Sequence, residues 1–174
     1  MGRRISRAYA GRLVHVIALM DNAVVFASDL LRRMTCATVC SFVRVEMRDV
    51  PVEGCEGREI FFTPVPELHG RDVLVVDTVL QSGVTHDFLI KRLLESRPRS
   101  LRLAVLVDKP AGRRVDVHPD YFGFRSASNY LVGYGLSDRR GLYRNLAFVG
   151  VVAERRRAAA PQRRRQGRNQ RGNR

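Results

Sequence analysis

Lysine is nearly missing from this chain. Of 31 basic residues 29 are arginine, and only Lys91 and Lys109 are lysine. That skew fits a GC-rich genome as well as selection for phosphate contacts. Cysteine is scarce too: Cys36, Cys40 and Cys55 are an odd set with no Cys-x-x-Cys and no matched histidine pair. They support neither a zinc site nor a disulfide framework, and reduced thiols in a cytoplasmic protein are expected. No run of about 18 apolar residues occurs, so no membrane-spanning helix is expected. No internal repeat is present. The opening Met1-Gly2-Arg3-Arg4-Ile5-Ser6 fits a myristoylation pattern, and Arg3, Arg4 and Arg7 before Leu13–Met20 faintly imitate a targeting peptide. His15 interrupts that apolar run, which reads better as a core strand.

What is present suits one globular domain: 174 residues, 45% of them hydrophobic. The net charge of +14 is unevenly spread. Residues 154–174 carry nine arginines against one glutamate, +8 of the total, leaving +6 for the body. We therefore divide the chain into a domain over 1–153 and an Arg-rich tail over 154–174, expected to be disordered.

Leu13–Met20 reads as a first buried strand, with Asp21-Asn22 as turn and helix cap. Ala23–Met34 follows as a helix and Thr38–Val45 as a second strand. The segment Glu46–Leu68 is punctuated by Pro51, Gly54, Gly57, Pro64 and Pro66. It is expected to form a long loop with a short strand at Glu59–Thr63. Val73–Val76 is an unbroken apolar run, the mark of a strand buried on both faces, and Asp77 is expected to end it. A helix over His86–Ser96 and a strand over Leu101–Val107 come next. Strand-like runs at Asp120–Phe124, Tyr130–Leu136 and Ala147–Val152 complete the body. Strands alternating with helices predict an α/β fold with a mainly parallel central sheet flanked by helices.

The loop Gln81-Ser82-Gly83-Val84-Thr85 joins the most buried strand to a helix. Backbone N–H groups in such a loop can turn onto a phosphate, with Asp77 as a carboxylate beside it. Taken alone, a turn of this kind more often only connects a strand to a helix.

Further blocks add a resemblance. Val107-Asp108-Lys109-Pro110, Val117-His118-Pro119-Asp120-Tyr121-Phe122-Gly123-Phe124, Val132-Gly133-Tyr134-Gly135-Leu136 and Tyr143-Arg144-Asn145-Leu146 occur in this order. With Gly2–Ser6, which looks like an opening helix, they resemble the hypoxanthine-guanine phosphoribosyltransferases, over nearly all of residues 2–152. The resemblance implies the type I phosphoribosyltransferase fold with a small hood from the chain ends. It also implies transfer of a phosphoribosyl group from PRPP to N9 of a purine, with Mg2+ and release of pyrophosphate. By the same resemblance Ser82, Gly83, Val84 and Thr85 would hold the 5′-phosphate, and Asp77 and Thr78 would face ribose or metal. Lys109 would donate to the purine's exocyclic oxygen, Tyr130 would stack on the base, and the Leu131 backbone would meet its edge. Asp21 and Asn22, with Arg144, would form the pyrophosphate loop, and Met47 and Arg48 the lid. Dimers or tetramers would be the assembly.

The chain departs from that pattern where proton and metal chemistry lie. Two adjacent acids and a third acid three residues on are represented by Asp77, Thr78 and Gln81. The third is the family's general base at purine N7, and an amide cannot take that proton. General-base catalysis is worth about a hundred- to ten-thousand-fold. The Lys-Gly-type pair of the pyrophosphate loop is Asp21-Asn22, and the lid's Ser-Tyr pair is Met47-Arg48. The late metal-site aspartate is either Ser137 or Asp138. Two readings stay open: a purine phosphoribosyltransferase with weakened activity, and an inactive nucleotide-binding pseudoenzyme with a regulatory or RNA-binding role. The tail adds the expectation of non-specific RNA contact.

Overall fold

The computed structural model describes residues 1–52, 55–64, 66–128 and 130–152, and the backbone alone of 47–52 and 55–62. The tail over 154–174 and the side chains of Met47 and Arg48 lie outside the described residues. Helix α1 (Gly2–Ala8) precedes β1 (Val14–Met20), α2 (Val24–Arg32) and β2 (Thr38–Val52). Then come β3 (Cys55–Phe62), β4 (Asp72–Leu80), α3 (Val84–Glu95) and β5 (Ser100–Asp108). A 3-10 turn at Pro110–Gly112 leads to β6 (Tyr121–Arg125), β7 (Leu131–Val132) and β8 (Gly150–Val151).

The main sheet has the order β3-β2-β1-β4-β5-β6. Five strands are parallel, and β3 adds an antiparallel edge. Alternate residues of the buried strands feed two cores, as a sheet covered on both faces requires. Val14, Val16, Leu74 and Val76 meet Ile5, Tyr9, Phe26 and Leu30 on the α1/α2 face. Ile17, Leu19, Val73 and Val75 meet Leu89 and Leu93 of α3 on the other. The expected α/β architecture is present, and β7 and β8 form a small antiparallel pair near the C-terminal end. The N-terminal helix packs into the core beside α2. No described helix is long and apolar enough to cross a membrane. Cys36 and Cys40 are free thiols, and burial pushes the Cys40 thiol up.

Three segments differ from expectation. Asp77 does not end β4: it sits opposite Val105, and pairing continues to Leu80 opposite Asp108. The buried Thr78 and Leu80 make that extension a continuation of the core. The Glu46–Leu68 segment is largely an antiparallel arm, with Val45 opposite Phe62 and Val52 opposite Cys55. Its β-branched and aromatic flanks outweigh the turn residues among them. Tyr130–Leu136 is a strand only at Leu131–Val132. Gly133 turns the chain at φ +87°, and a Cβ there would lie 2.1 Å from the Phe148 carbonyl oxygen.

At the amino end of β4, Asp72 is fully buried. It accepts from Arg12 at 3.3 Å, from Ser100 at 2.6 Å and from Arg99. The hydrogen bond from Arg99 holds its carboxyl below the usual range. A carboxyl that ionises more readily folded than unfolded stabilises fully above its ordinary pKa, and the effect is lost as pH falls through the depressed folded value. Because both arginines are part-exposed, Asp72→Asn should cost about 2 kcal/mol near neutral pH, below the range for fully buried pairs. Urea titrations from pH 7 to 3 should show the wild type losing that advantage below about pH 4, and the variant a shallower decline.

Candidate functional site

Parallel neighbours β1 and β4 send their chains in opposite directions across the sheet, β1 to β2 and β4 to β5. Their carboxyl ends therefore border a crevice that no crossover covers. The loop after β1 and the loop after β4 open onto it. There Asn22, Asp77, Gln81, Ser82, Gly83 and Thr85 line a cavity of about 270 Å³ with Leu19, Met20, Val45, Val79 and His86.

The floor of the crevice is the start of α3. Gly83 is its N-cap at φ +80°, and no side chain caps the helix. The Val84 amide reaches the Ser82 hydroxyl only at 3.5 Å, which leaves the first turn of the helix open to an anion at the positive end of the helix dipole. Ser82 is held from behind by the Arg114 amide, which donates to its carbonyl at 2.9 Å. A Cβ on Gly83 would meet Val115 at 3.0 Å, so glycine there serves both the turn and the packing.

Asp77 faces the crevice with its carboxylate already engaged. Oδ1 accepts the Thr78 amide at 2.6 Å and Oδ2 accepts His86 Nε2 at 2.9 Å. His86 is buried, and sequence reasoning missed it. The available signal was a histidine one residue past the cradle, in the first turn of α3. Thr78, expected to face substrate, is fully buried, and its hydroxyl donates to the Asn22 carbonyl at 2.7 Å. It ties β4 to the loop after β1. Arg144 binds that loop from the far end of the chain, donating to Asn22 Oδ1 and to the Gly135 carbonyl, both at 2.7 Å. Asp21 pairs with Arg44 at 3.0 Å. The Met20–Asp21 peptide is cis.

Lys109 is 5% exposed, and burial lowers its ammonium pKa. Its Nζ donates to Gln81 Oε1 at 2.9 Å. Next to it, buried Asp108 is matched by Arg113 at 2.5 Å and Arg125 at 3.4 Å. Tyr130, Leu131, Ser137 and Asp138 do not line the Asp77 cavity but a second one of about 340 Å³, with Val132, Arg139, Arg140 and Val152. Arg139 lies 5.4 Å over the Tyr130 ring and donates to its hydroxyl at 2.5 Å. Asp138 accepts the amides of Arg140 at 2.9 Å and Leu142 at 3.0 Å. The Leu142 bond foremost depresses its pKa.

These contacts bear on the expected magnesium. Among the described residues no three His, Cys, Asp or Glu side chains gather as a metal site. Asp77 and Asp138 already accept N–H groups. The carboxylates do not fit a resident Mg2+ held by the protein alone.

His86→Leu should keep the packing of α3 while stripping Asp77 of one partner. A loss of about 1 kcal/mol in unfolding free energy is expected by urea titration. A double-mutant cycle with Asp77→Asn should show a coupling of similar size.

Comparison with known proteins agrees with this architecture. The family model for the Phosphoribosyl transferase domain matches residues 2–139. A hypoxanthine-guanine phosphoribosyltransferase of Lactococcus lactis is 31% identical over 152 residues, 87% of this chain and 82% of that protein. The Bifunctional protein TilS/HprT of Listeria monocytogenes is 33% identical over 152 residues, but the chain spans only 23% of its length. A solved structure of a hypoxanthine-guanine phosphoribosyltransferase from Bacillus anthracis superposes with a TM-score of 0.77 at 30% identity, covering 87% of this chain and 88% of that one.

Proposed function

Because the chain belongs to the hypoxanthine-guanine phosphoribosyltransferase family, we propose that it binds PRPP and a purine base and transfers the phosphoribosyl group to purine N9, with turnover weakened by its own cleft. The bond from N9 to C1′ forms, the bond from C1′ to the pyrophosphate oxygen breaks, and pyrophosphate leaves with the electron pair. The purine's imidazole proton must also depart. The observation that carries the weakened turnover is the Gln81–Lys109 hydrogen bond, with an amide where a proton acceptor belongs. That proton would go to solvent or to the leaving pyrophosphate.

In this reading the α3 N-terminus at Ser82, Gly83, Val84 and Thr85 takes the 5′-phosphate. Asp77, oriented by His86, meets the ribose hydroxyls. Thr78 acts indirectly, fixing the Asn22 loop. Asn22 and Arg144 receive the pyrophosphate, with Arg44 offsetting the charge of Asp21. Lys109 donates to the purine's exocyclic oxygen, and Tyr130 and Leu131 cover the base once Arg139 yields one ring face. Met47 and Arg48 would close the lid from the arm. Magnesium would come with PRPP as part of the substrate. A homo-oligomer, a cytoplasmic location and non-specific RNA contact through residues 154–174 complete the proposal. The competing reading, a nucleotide-binding pseudoenzyme, is favoured by the same Gln81 amide.

Pyrophosphate release should be followed with PRPP, Mg2+ and each of hypoxanthine, guanine, xanthine, adenine and uracil. The 6-oxopurines should be turned over slowly, and Gln81→Asp should raise kcat about a hundredfold or more. No turnover by either protein, with GMP still bound, would leave the pseudoenzyme reading. Because burial lowers the Lys109 pKa, the ammonium donor is lost at lower pH than for an ordinary lysine. Affinity for 6-oxopurine ligands should therefore begin to fade at a lower pH than an ordinary lysine donor would allow, and Lys109→Met should leave only the pH dependence that comes from the ligand's own N1 proton.

A further inference from the structure

Glutamine is usually treated as an ambidextrous hydrogen-bonding group, but here one end of the amide is committed. Lys109 Nζ carries only donors, so the atom 2.9 Å from it must be the carbonyl oxygen of Gln81. The aliphatic part of Gln81 lies against Gly112, where a Cβ would come within 2.8 Å of its Cγ. Oxygen fixed to a buried lysine and stem fixed to a glycine leave the NH2 group to the cleft that Gln81 lines.

We infer that Gln81 presents hydrogen-bond donors, and no acceptor, to the imidazole edge of a bound purine, so that the site selects ligands whose N7 is a bare acceptor. This rests on the proposed placement of the base beside Gln81 and Lys109. In a purine nucleoside monophosphate N9 is substituted and N7 has a free lone pair, which matches the amide N–H. A free base poised to react through N9 must carry its proton on N7, which sets N–H against N–H. The alternative tautomer, with the proton on N9, suits the amide but has no lone pair at N9 with which to attack. The polarity of one side chain thus favours the product state of the reaction over its reactive substrate. The ligand class is the purine 5′-monophosphate, read at N7.

Calorimetry with the full-length protein, GMP and 7-deaza-GMP tests this, because the analogue replaces N7 by C–H and leaves the phosphate, ribose and exocyclic groups unchanged. A neutral hydrogen bond of ordinary strength predicts GMP binding about fivefold tighter than 7-deaza-GMP. In Gln81→Leu the preference should vanish, with GMP falling to the affinity of the analogue. A merely structural role for Gln81 would instead weaken both ligands equally and keep their ratio. Equal binding of the two nucleotides by the wild type would overturn the inference while leaving nucleotide binding intact. Failure of both to bind would overturn the inference and the proposed function together.

Discussion

Everything in this molecule depends on the parallel pairing of β1 with β4, from Val14 opposite Asp72 to Ala18 opposite Val76. Both strands are buried on both faces, so their backbones are satisfied within the sheet and their side chains fill two separate cores. Chain direction then does the rest. The crossover through α2 leaves to one side and the one through α3 to the other, and the uncovered gap between the strand ends becomes the cleft. The charged group buried at the opposite end, Asp72 with Arg12, Arg99 and Ser100, fixes the same strand from below. A helix start without a side-chain cap from its N-cap residue faces a cavity at the top, and it becomes useful once an anion arrives.

The same pairing explains what could be read from the residues alone. Val73–Val76 admits almost no interpretation other than a doubly buried strand, and its neighbours followed from helical and strand periodicity. The limits of β4 were less legible, because a carboxylate at 77 looks like a terminator when only polarity is considered. In the folded chain Asp77 faces the cleft and is partnered, while Thr78 behind it is buried with its hydroxyl spent on Asn22. A threonine and an aspartate side by side gave no clue as to which would face inward. His86 was hidden for a related reason: its partner is nine residues away, and only the turn at Gly83 brings them together. The arm of β2 and β3 was obscured by prolines and glycines, which mark turns reliably but do not reveal how far the flanking strands run.

Electrostatics give the cleft a consistent character despite the basic composition of the chain. The described carboxylates around it each have a donor: Asp21 has Arg44, Asp77 has His86, and Asp108 has Arg113 and Arg125. None is presented as a naked base. A cleft arranged in this way suits a polyanion, since its negative groups are offset and its backbone donors remain outward. It is less suited to removing a proton, which needs an acceptor with spare lone pairs close to the leaving hydrogen.

Lys109 and Gln81 show how these demands meet in one contact. A buried lysine is costly unless something accepts its hydrogens, and a carboxylate at position 81 would be the stronger acceptor. The amide supplies a weaker one. Burial lowers the pKa of the Lys109 ammonium. The amide of Gln81 keeps the contact to the lysine and, unlike a carboxylate, has no basic oxygen to take up a proton. A carboxylate at position 81 could serve the lysine and accept a proton at once, whereas an amide whose oxygen is held by the lysine has only N–H donors left to turn outward.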